Sequence, residues 1–342
     1  MFHWRSYINI KNCFERESGI GGILADYVSD HGTCDFCRTR DVDLVETQLL
    51  TDIFSQLLDL YIPQATGTRL TECICQEWFC FSDLSLGNRI MEDMIRPDSP
   101  YYSLIGQPVS LKEDILRVEE DWNKFSENIK HSNRFFVDNT SPIINENNIF
   151  LNQQITVPAG HEFFRARITD KPYPLEEKEM RNPPVECATP GRANPEGISY
   201  LYLANDIETI MYESRSSYLD YVSVAKFRVN KELKIVSLNN IQKIDPFTPD
   251  VNLRDLIYNT KLLKVISNAL SNPLRSYESK IEYIPTQYIC EYIKSLGFDG
   301  VEYSSAMHSS GLNYAFFSGD NFTLVDTNVY EVSKNTIEYK QL

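Results

Sequence analysis

Histidine is scarce in this chain. There are five in 342 residues, at positions 3, 31, 131, 161 and 308, and none forms an HExxH metal helix. The sequence has no GxxxxGK[ST] phosphate loop and no GxSxG nucleophile elbow. Gly19-Ile20-Gly21-Gly22 lacks the third glycine of a dinucleotide fingerprint and follows no convincing strand. These absences set aside nucleotide-loop, zinc-protease and α/β-hydrolase chemistry, and leave a histidine-based triad unsupported. Nowhere do about 18 apolar residues run together, so no membrane-spanning helix is expected. The stretch from Met1 to Glu17 mixes charges and has no apolar core of a secretory signal. Positive charge is also short, with 33 Lys+Arg against 48 Asp+Glu and a net charge of −15. That balance argues against a sequence-independent nucleic-acid partner, which needs excess Lys and Arg facing phosphates. Eight cysteines are too few and too clustered for a disulfide scaffold. The chain reads as cytoplasmic.

What is present is a core. Hydrophobic residues make up 42% and aromatics 12%, and the length suits two domains. Residues 1–150 hold 13 Lys+Arg against 24 Asp+Glu, a net of −11, and residues 151–342 hold 20 against 24, a net of −4. A phosphate-bearing ligand is therefore sought in the second half. A polar, asparagine-rich stretch from Asn139 to Gln154 places the junction near its start, giving domains 1–140 and 141–342.

The first domain reads as mainly helical. Val45, Leu49, Leu50, Ile53, Phe54, Leu57 and Leu58 predict a helix over 44–61. Leu111, Ile115, Val118, Trp122, Phe125 and Ile129 predict a second, opened by a Ser110/Glu113 capping box. In the second domain, short apolar runs predict strands over 163–168, 200–204, 221–229, 233–238, 300–303 and 314–317. Between them lie a helix capped by Asn205 and running to about Ser216, and another over 285–296. Short strands with irregular helical insertions indicate α+β, not a doubly wound sheet.

The most informative stretch runs from Phe163 to Glu213. It contains Phe163-Phe164-Arg165-Ala166-Arg167, the turn Gly191-Arg192-Ala193-Asn194-Pro195-Glu196-Gly197, the strand Tyr200-Leu201-Tyr202-Leu203-Ala204, and Glu213 on the next helix. A guanidinium pairs with pyrophosphate oxygens through a planar fork. A tyrosine ring stacks on a base or on nicotinamide. A carboxylate binds ribose hydroxyls and stabilises the oxocarbenium-like charge of a breaking glycosidic bond. The trio suits a nucleotide glycoside. The same residues also suit a surface turn, a core strand and a solvated helix glutamate.

Together with Thr286-Gln287, Gly297-Phe298-Asp299-Gly300, Tyr303-Ser304-Ser305 and Asn313 ahead of Ala315-Phe316-Phe317, the stretch resembles the RES-domain family over roughly residues 160–320. Members are NAD-degrading toxins of bacterial toxin–antitoxin modules. The resemblance implies an ADP-ribosyltransferase-like α+β core that destroys NAD by phosphorolysis or hydrolysis. It assigns Arg192, Tyr202, Glu213 and Ser305 to catalysis. Arg165 or its neighbour Arg167, with Asn194, Tyr303 and Asn313, would contact substrate. It further implies inorganic phosphate as a co-substrate and an antitoxin protein as partner. Family members often dimerise, so a homodimer is one expectation, although no interface is readable. Transfer of ADP-ribose to a protein and non-catalytic nucleotide sensing are the alternatives.

The first half resembles the HEPN/RES extension of longer members through Asn12-Cys13-Phe14, Cys34-Asp35-Phe36-Cys37 and the segment from Asp121-Trp122 to Arg134-Phe135-Phe136. Ile10 stands where that extension has its first cysteine. A structural zinc on Cys13, Cys34 and Cys37 is kept as a hypothesis, completed by His3, His31 or a downstream cysteine. No convincing R-x4-6-H motif is present, so ribonuclease activity is not expected.

Overall fold

The longest apolar run of the second half, Tyr221–Val229, is buried at most of its positions and lies within a sheet, not at its edge. Alternation sends its side chains to opposite faces. Val222 and Val224 join a cluster with Ala204 and Ile210, while Ala225, Phe227 and Val229 join Phe163, Leu201, Leu203 and Phe316. The sheet is thus packed on both sides. The computed structural model describes residues 6–137, 149–239, 241, 243–274 and 279–334. The junction expected at 140/141 lies outside the described residues.

The sheet has eight strands: β1 (Gln154–Val157), β2 (Glu162–Thr169), β3 (Leu201–Ala204), β4 (Tyr221–Val229), β5 (Leu233–Ser237), β6 (Gly300–Ser304), β7 (Leu312–Phe316) and β8 (Phe322–Glu331). Their spatial order is β8-β4-β2-β3-β7-β6-β5-β1, antiparallel except where β5 and β6 run parallel. Four helices of eight or more residues are used here: α1 (Val118–His131), α2 (Ile207–Ser214), α3 (Leu253–Ser271) and α4 (Ile284–Ser295). This mixed sheet with helices is the expected α+β class. All six expected strands are present, shifted by one or two residues at several ends.

Local chemistry explains the helix ends near the sheet. The cap of α2 is Asp206, one residue later than expected, and its carboxylate accepts from Thr209 N–H at 2.7 Å. Asn205 instead accepts from Leu312 N–H at 2.9 Å, tying β3 to β7. Helix α4 starts at Ile284 with Pro285 in its first turn, where a missing N–H costs nothing. It stops before Gly297, whose φ of 89° favours glycine.

The chain divides into two compact units that do not follow the expected linear split. One comprises Met1–Val118 with Gln242–Lys261, the other Glu119–Ile241 with Leu262–Leu342. The inserted segment belongs to the first unit through backbone pairing: Phe79 N–H donates to Ile244 O at 2.8 Å and Ile244 N–H to Glu77 O at 3.2 Å. Phe247 packs edge-on against Phe54, and Lys261 pairs with Glu77 at 2.6 Å.

The first unit is less helical than its periodicity suggests. The helix expected over 44–61 is a strand, Val42–Glu46, followed by the short helices Leu49–Ile53 and Ser55–Leu58 and a strand from Tyr61. Backbone pairing of Val42–Glu46 with Tyr7–Asn9 and Asp30–Gly32 overrides the helical spacing. The second expected helix is also broken. Val109–Leu111 is a strand paired with Tyr61–Thr68, and Ser110 Oγ donates to Leu111 O instead of capping. Helix then forms over Glu113–Leu116 and again in α1. Among the described residues, no helix is long and apolar enough to cross a membrane.

Candidate active site

The turn between β2 and β3 is built around Asn194. This residue is buried, and its amide donates to the carbonyls of Thr189, Pro195 and Ile198 at 3.0, 3.1 and 2.8 Å. Its Oδ1 accepts from the Tyr202 hydroxyl at 2.7 Å, and that hydroxyl accepts from Ala193 N–H at 3.1 Å. Asn194, expected to contact substrate, has its side chain fully engaged in shaping the loop. The Tyr202 hydroxyl is likewise committed to the loop. Gly191 is required by close approach: a Cβ there would sit 2.6 Å from Asn194 Oδ1 and 2.8 Å from the Tyr202 hydroxyl. Gly191→Ala is expected to destabilise the unit by about 1–3 kcal/mol through overpacking. Thermal unfolding checks this, and an unchanged melting temperature would contradict the proposed turn geometry.

The turn is braced from α4. Thr286 Oγ1 donates to Arg192 O at 2.6 Å, and Gln287 Nε2 donates to Gly191 O at 2.8 Å. Both side chains are buried. Thr286-Gln287, marked in the sequence only through the family resemblance, thus holds the turn that carries Arg192. Arg192 is fixed as a result, with Nη1 donating to Ser271 O at 2.9 Å.

The sheet register supplies the other wall. Asn313 on β7 pairs with Ala204 on one side and Tyr303 on the other. Paired residues share a face, and so do residues two apart on a strand, so Tyr202, Asn313 and Tyr303 project from one side of the sheet. Glu213, on the last turn of α2, meets them. Its Oε1 accepts from Ser305 Oγ at 2.6 Å and from Asn313 Nδ2 at 2.8 Å, and its Oε2 lies 3.7 Å from Arg192 Nη2. Glu213 and Arg192 side chains are 14% and 15% exposed, so their attraction is weakly screened. Ser305 is itself held: Met307 and His308 N–H donate to its Oγ at 3.1 and 3.2 Å, leaving its proton for Glu213. His308 anchors that loop to α2 through Nδ1 and Thr209 Oγ1, 2.9 Å apart, and its ring stacks on Tyr212. The sequence reading missed Thr209 and His308; neither carries a local pattern that marks it.

Arg165 and Arg167 sit on β2. Arg167 Nη2 donates to Arg181 O at 3.3 Å. Arg165 Nη1 is buried and has no hydrogen-bond partner among the described residues. Burial, then the like charge of Arg167, pulls the Arg165 guanidinium down to about 10, with the Tyr202 hydroxyl acting in the opposite direction. A guanidinium carries five donors and no acceptor, so this nitrogen's hydrogen-bonding need is unmet within the fold.

Burial pushes the Tyr202, Tyr303 and Tyr314 phenols well above their ordinary range; Glu302, which accepts from Tyr314 at 2.7 Å, adds to the last. Unfolded phenols ionise near about 10. Below that pH the contribution to stability is complete. Above it, only the unfolded chain loses these protons, so stability falls as pH rises. Arg165 opposes this above about 10, one group against three. Urea midpoints measured from pH 8 to 11 are expected to drop above about pH 10, and a flat profile would contradict the burial of these rings.

The expected site residues therefore gather in one unit, with Arg192, Glu213, Ser305 and Asn313 directly linked. Cys13, Cys34 and Cys37 lie in the other unit, with their Sγ atoms within 4.8 Å of one another. His31 does not join them; it pairs with Asp41 and Asp43 at 3.0 and 3.1 Å.

Comparison with known proteins gives a family. No curated protein matches the chain. The solved MbcT–MbcA toxin–antitoxin complex of M. tuberculosis is similar at 12% identity and a TM-score of 0.31, covering 53% of this chain and 90% of that one. A family model described as RES domain matches residues 163–335, a span that includes Arg165, Arg192, Tyr202, Glu213, Ser305 and Asn313. With that match over half of its length, the chain belongs to the RES-domain family.

Proposed function

We propose that this site cleaves the nicotinamide–ribose bond of NAD and that the protein is the toxin of a toxin–antitoxin pair. One observation carries the reading. Glu213 is fixed by Ser305 and Asn313 through one oxygen and turns the other toward Arg192. A carboxylate held this way cannot swing to follow solvent, and preorganised charge of that kind stabilises a cationic transition state.

Arg165 and Arg192 would bind the pyrophosphate, and the Arg165 nitrogen left without a partner gives this step its strongest support. The Tyr202 ring would stack on nicotinamide, its hydroxyl being held by Asn194. The C–N bond to nicotinamide then breaks, its electron pair moving to the pyridine nitrogen, which leaves as neutral nicotinamide. Positive charge grows at the anomeric carbon beside Glu213. Water or inorganic phosphate forms the new C–O bond, and a proton from the nucleophile passes to solvent. Ser305, its hydroxyl filled by the Met307 and His308 N–H groups and by Glu213, would act by orienting Glu213 and not by touching substrate. Unchecked NAD loss stops growth, which is why a protein partner covering the site is part of the reading.

Incubation of the full chain with NAD, with and without phosphate, followed by mass spectrometry, separates the possible nucleophiles. ADP-ribose-1″-phosphate identifies phosphorolysis and ADP-ribose identifies hydrolysis. Mass added to a protein instead identifies ADP-ribosyl transfer and overturns the small-nucleophile reading.

A further inference from the structure

A second ligating cluster lies in the unit formed by Met1–Val118 and Gln242–Lys261. Cys13 and Cys34 are buried, Cys37 is half-buried, and the three Sγ atoms lie within 4.8 Å of one another. Cys13 Sγ is 3.6 Å from Cys34 Sγ. A tetrahedral ion with metal–sulfur distances of about 2.3 Å holds its sulfurs about 3.8 Å apart. The first pair is close to that spacing, and Cys37 Sγ lies within 4.8 Å of both.

The backbone around Cys34 is shaped for a charged sulfur. Asn9 N–H donates to Cys34 Sγ at 3.3 Å, and the Phe36 and Cys37 N–H groups each donate at 3.4 Å. Arg38, with a φ of 60°, closes the turn by donating its N–H to Cys34 O at 3.2 Å. A thiol sulfur is a weak acceptor. Three N–H donors converging on one sulfur favour its thiolate, the form that binds metal. Donors around a ligand atom are also what orient and tune a metal ligand. A Cys13–Cys34 disulfide would use the short S···S approach but leave both Cys37 and the converging donors unexplained.

The geometry points to Cys13, Cys34 and Cys37 as three of the four ligands of a tetrahedral thiophilic divalent cation of the zinc class. The ion ties the turn after strand Tyr7–Asn9 to the loop between strands Asp30–Gly32 and Val42–Glu46. It therefore staples a three-stranded sheet whose individual strands have only three to five residues. Such a bond converts binding free energy into folding free energy.

The test is metal analysis of the full chain purified without chelator. About one zinc per chain is expected, and exchange for cobalt(II) should give a thiolate-to-metal charge-transfer band. Cys37→Ser, which alters only the half-buried ligand, is expected to lower retained metal and melting temperature and to weaken that band. Cys187→Ser, at an exposed cysteine in the other unit, should change none of these. Should Cys34→Ala fail to fold, Cys37→Ser and the cobalt spectrum still decide. Absence of stoichiometric metal together with no cobalt–thiolate band would overturn the proposal, as would a Cys13–Cys34 disulfide found by mass mapping of the purified chain. Each readout is independent of NAD turnover.

Discussion

Glu213→Gln is expected to slow NAD loss by about 10²–10³-fold while lowering the melting temperature less than Glu213→Ala does. Glutamine keeps the volume of the side chain, and its carbonyl oxygen can still accept from Ser305 Oγ and Asn313 Nδ2, now 2.6 and 2.8 Å from Oε1. What disappears is the negative charge, and with it the attraction to Arg192 3.7 Å away. Glu213→Ala removes more: it strands two hydrogen-bond donors and leaves the largely buried Arg192 without its carboxylate. Glutamine keeps those two donors satisfied and so disturbs the fold less than alanine while removing the charge. Steady-state rates beside a thermal melt distinguish the two effects, and a variant that turns over at the wild-type rate removes Glu213 from the mechanism.

Arg165→Met is expected to act in opposite directions on stability and on binding. The wild-type side chain carries a guanidinium nitrogen that is buried and unpartnered, a cost to the unliganded fold. Methionine matches much of its length without the charge, so the melting temperature should rise by a few degrees. Replacing buried charge with apolar volume is commonly neutral or stabilising. The same change removes charge-assisted bonds to pyrophosphate worth about 1.5–3 kcal/mol, which corresponds to a rise in KM for NAD of about 10–150-fold. A gain in stability with lost affinity marks a residue that the ligand, not the fold, requires. Lower stability with an unchanged KM would reassign Arg165 to the core.

Much of the site was legible because its motifs report local backbone needs. The glycine and asparagine of the 191–197 turn are there for contacts that a Cβ or an apolar side chain would break, so they stand out as residue types. Strand β4 was readable to the residue because apolar side chains fill six of its nine positions. Strand β8 was not. It lies at the sheet edge with most positions exposed, and its polar alternation resembles a loop. Helix α3 had readable signals that went unused: Asn252 Oδ1 accepts from Arg254 N–H at 3.0 Å, and Leu253, Ile257, Leu262, Ile266 and Leu270 are buried at helical spacing.

Other features have no local signature. Residues 44–46 open a stretch with helical spacing yet lie in a strand, because two partner strands satisfy their backbone. The return of residues 242–261 to the first unit depends on pairing with Glu77 and Phe79, which periodicity cannot show. The hold on Glu213 is likewise assembled from residues 92 and 100 positions away. Residue types named the participants; only the register of β7 beside β3 and β6 showed that Asn313 serves Glu213.

The central claim is cleavage of the nicotinamide–ribose bond by this constellation, and released nicotinamide is its most direct measure. Wild-type chain incubated with NAD should release nicotinamide in step with NAD loss, and Glu213→Gln, assayed well below its melting temperature, should release almost none. NAD that remains intact with the folded wild-type protein, with or without phosphate, would contradict the account.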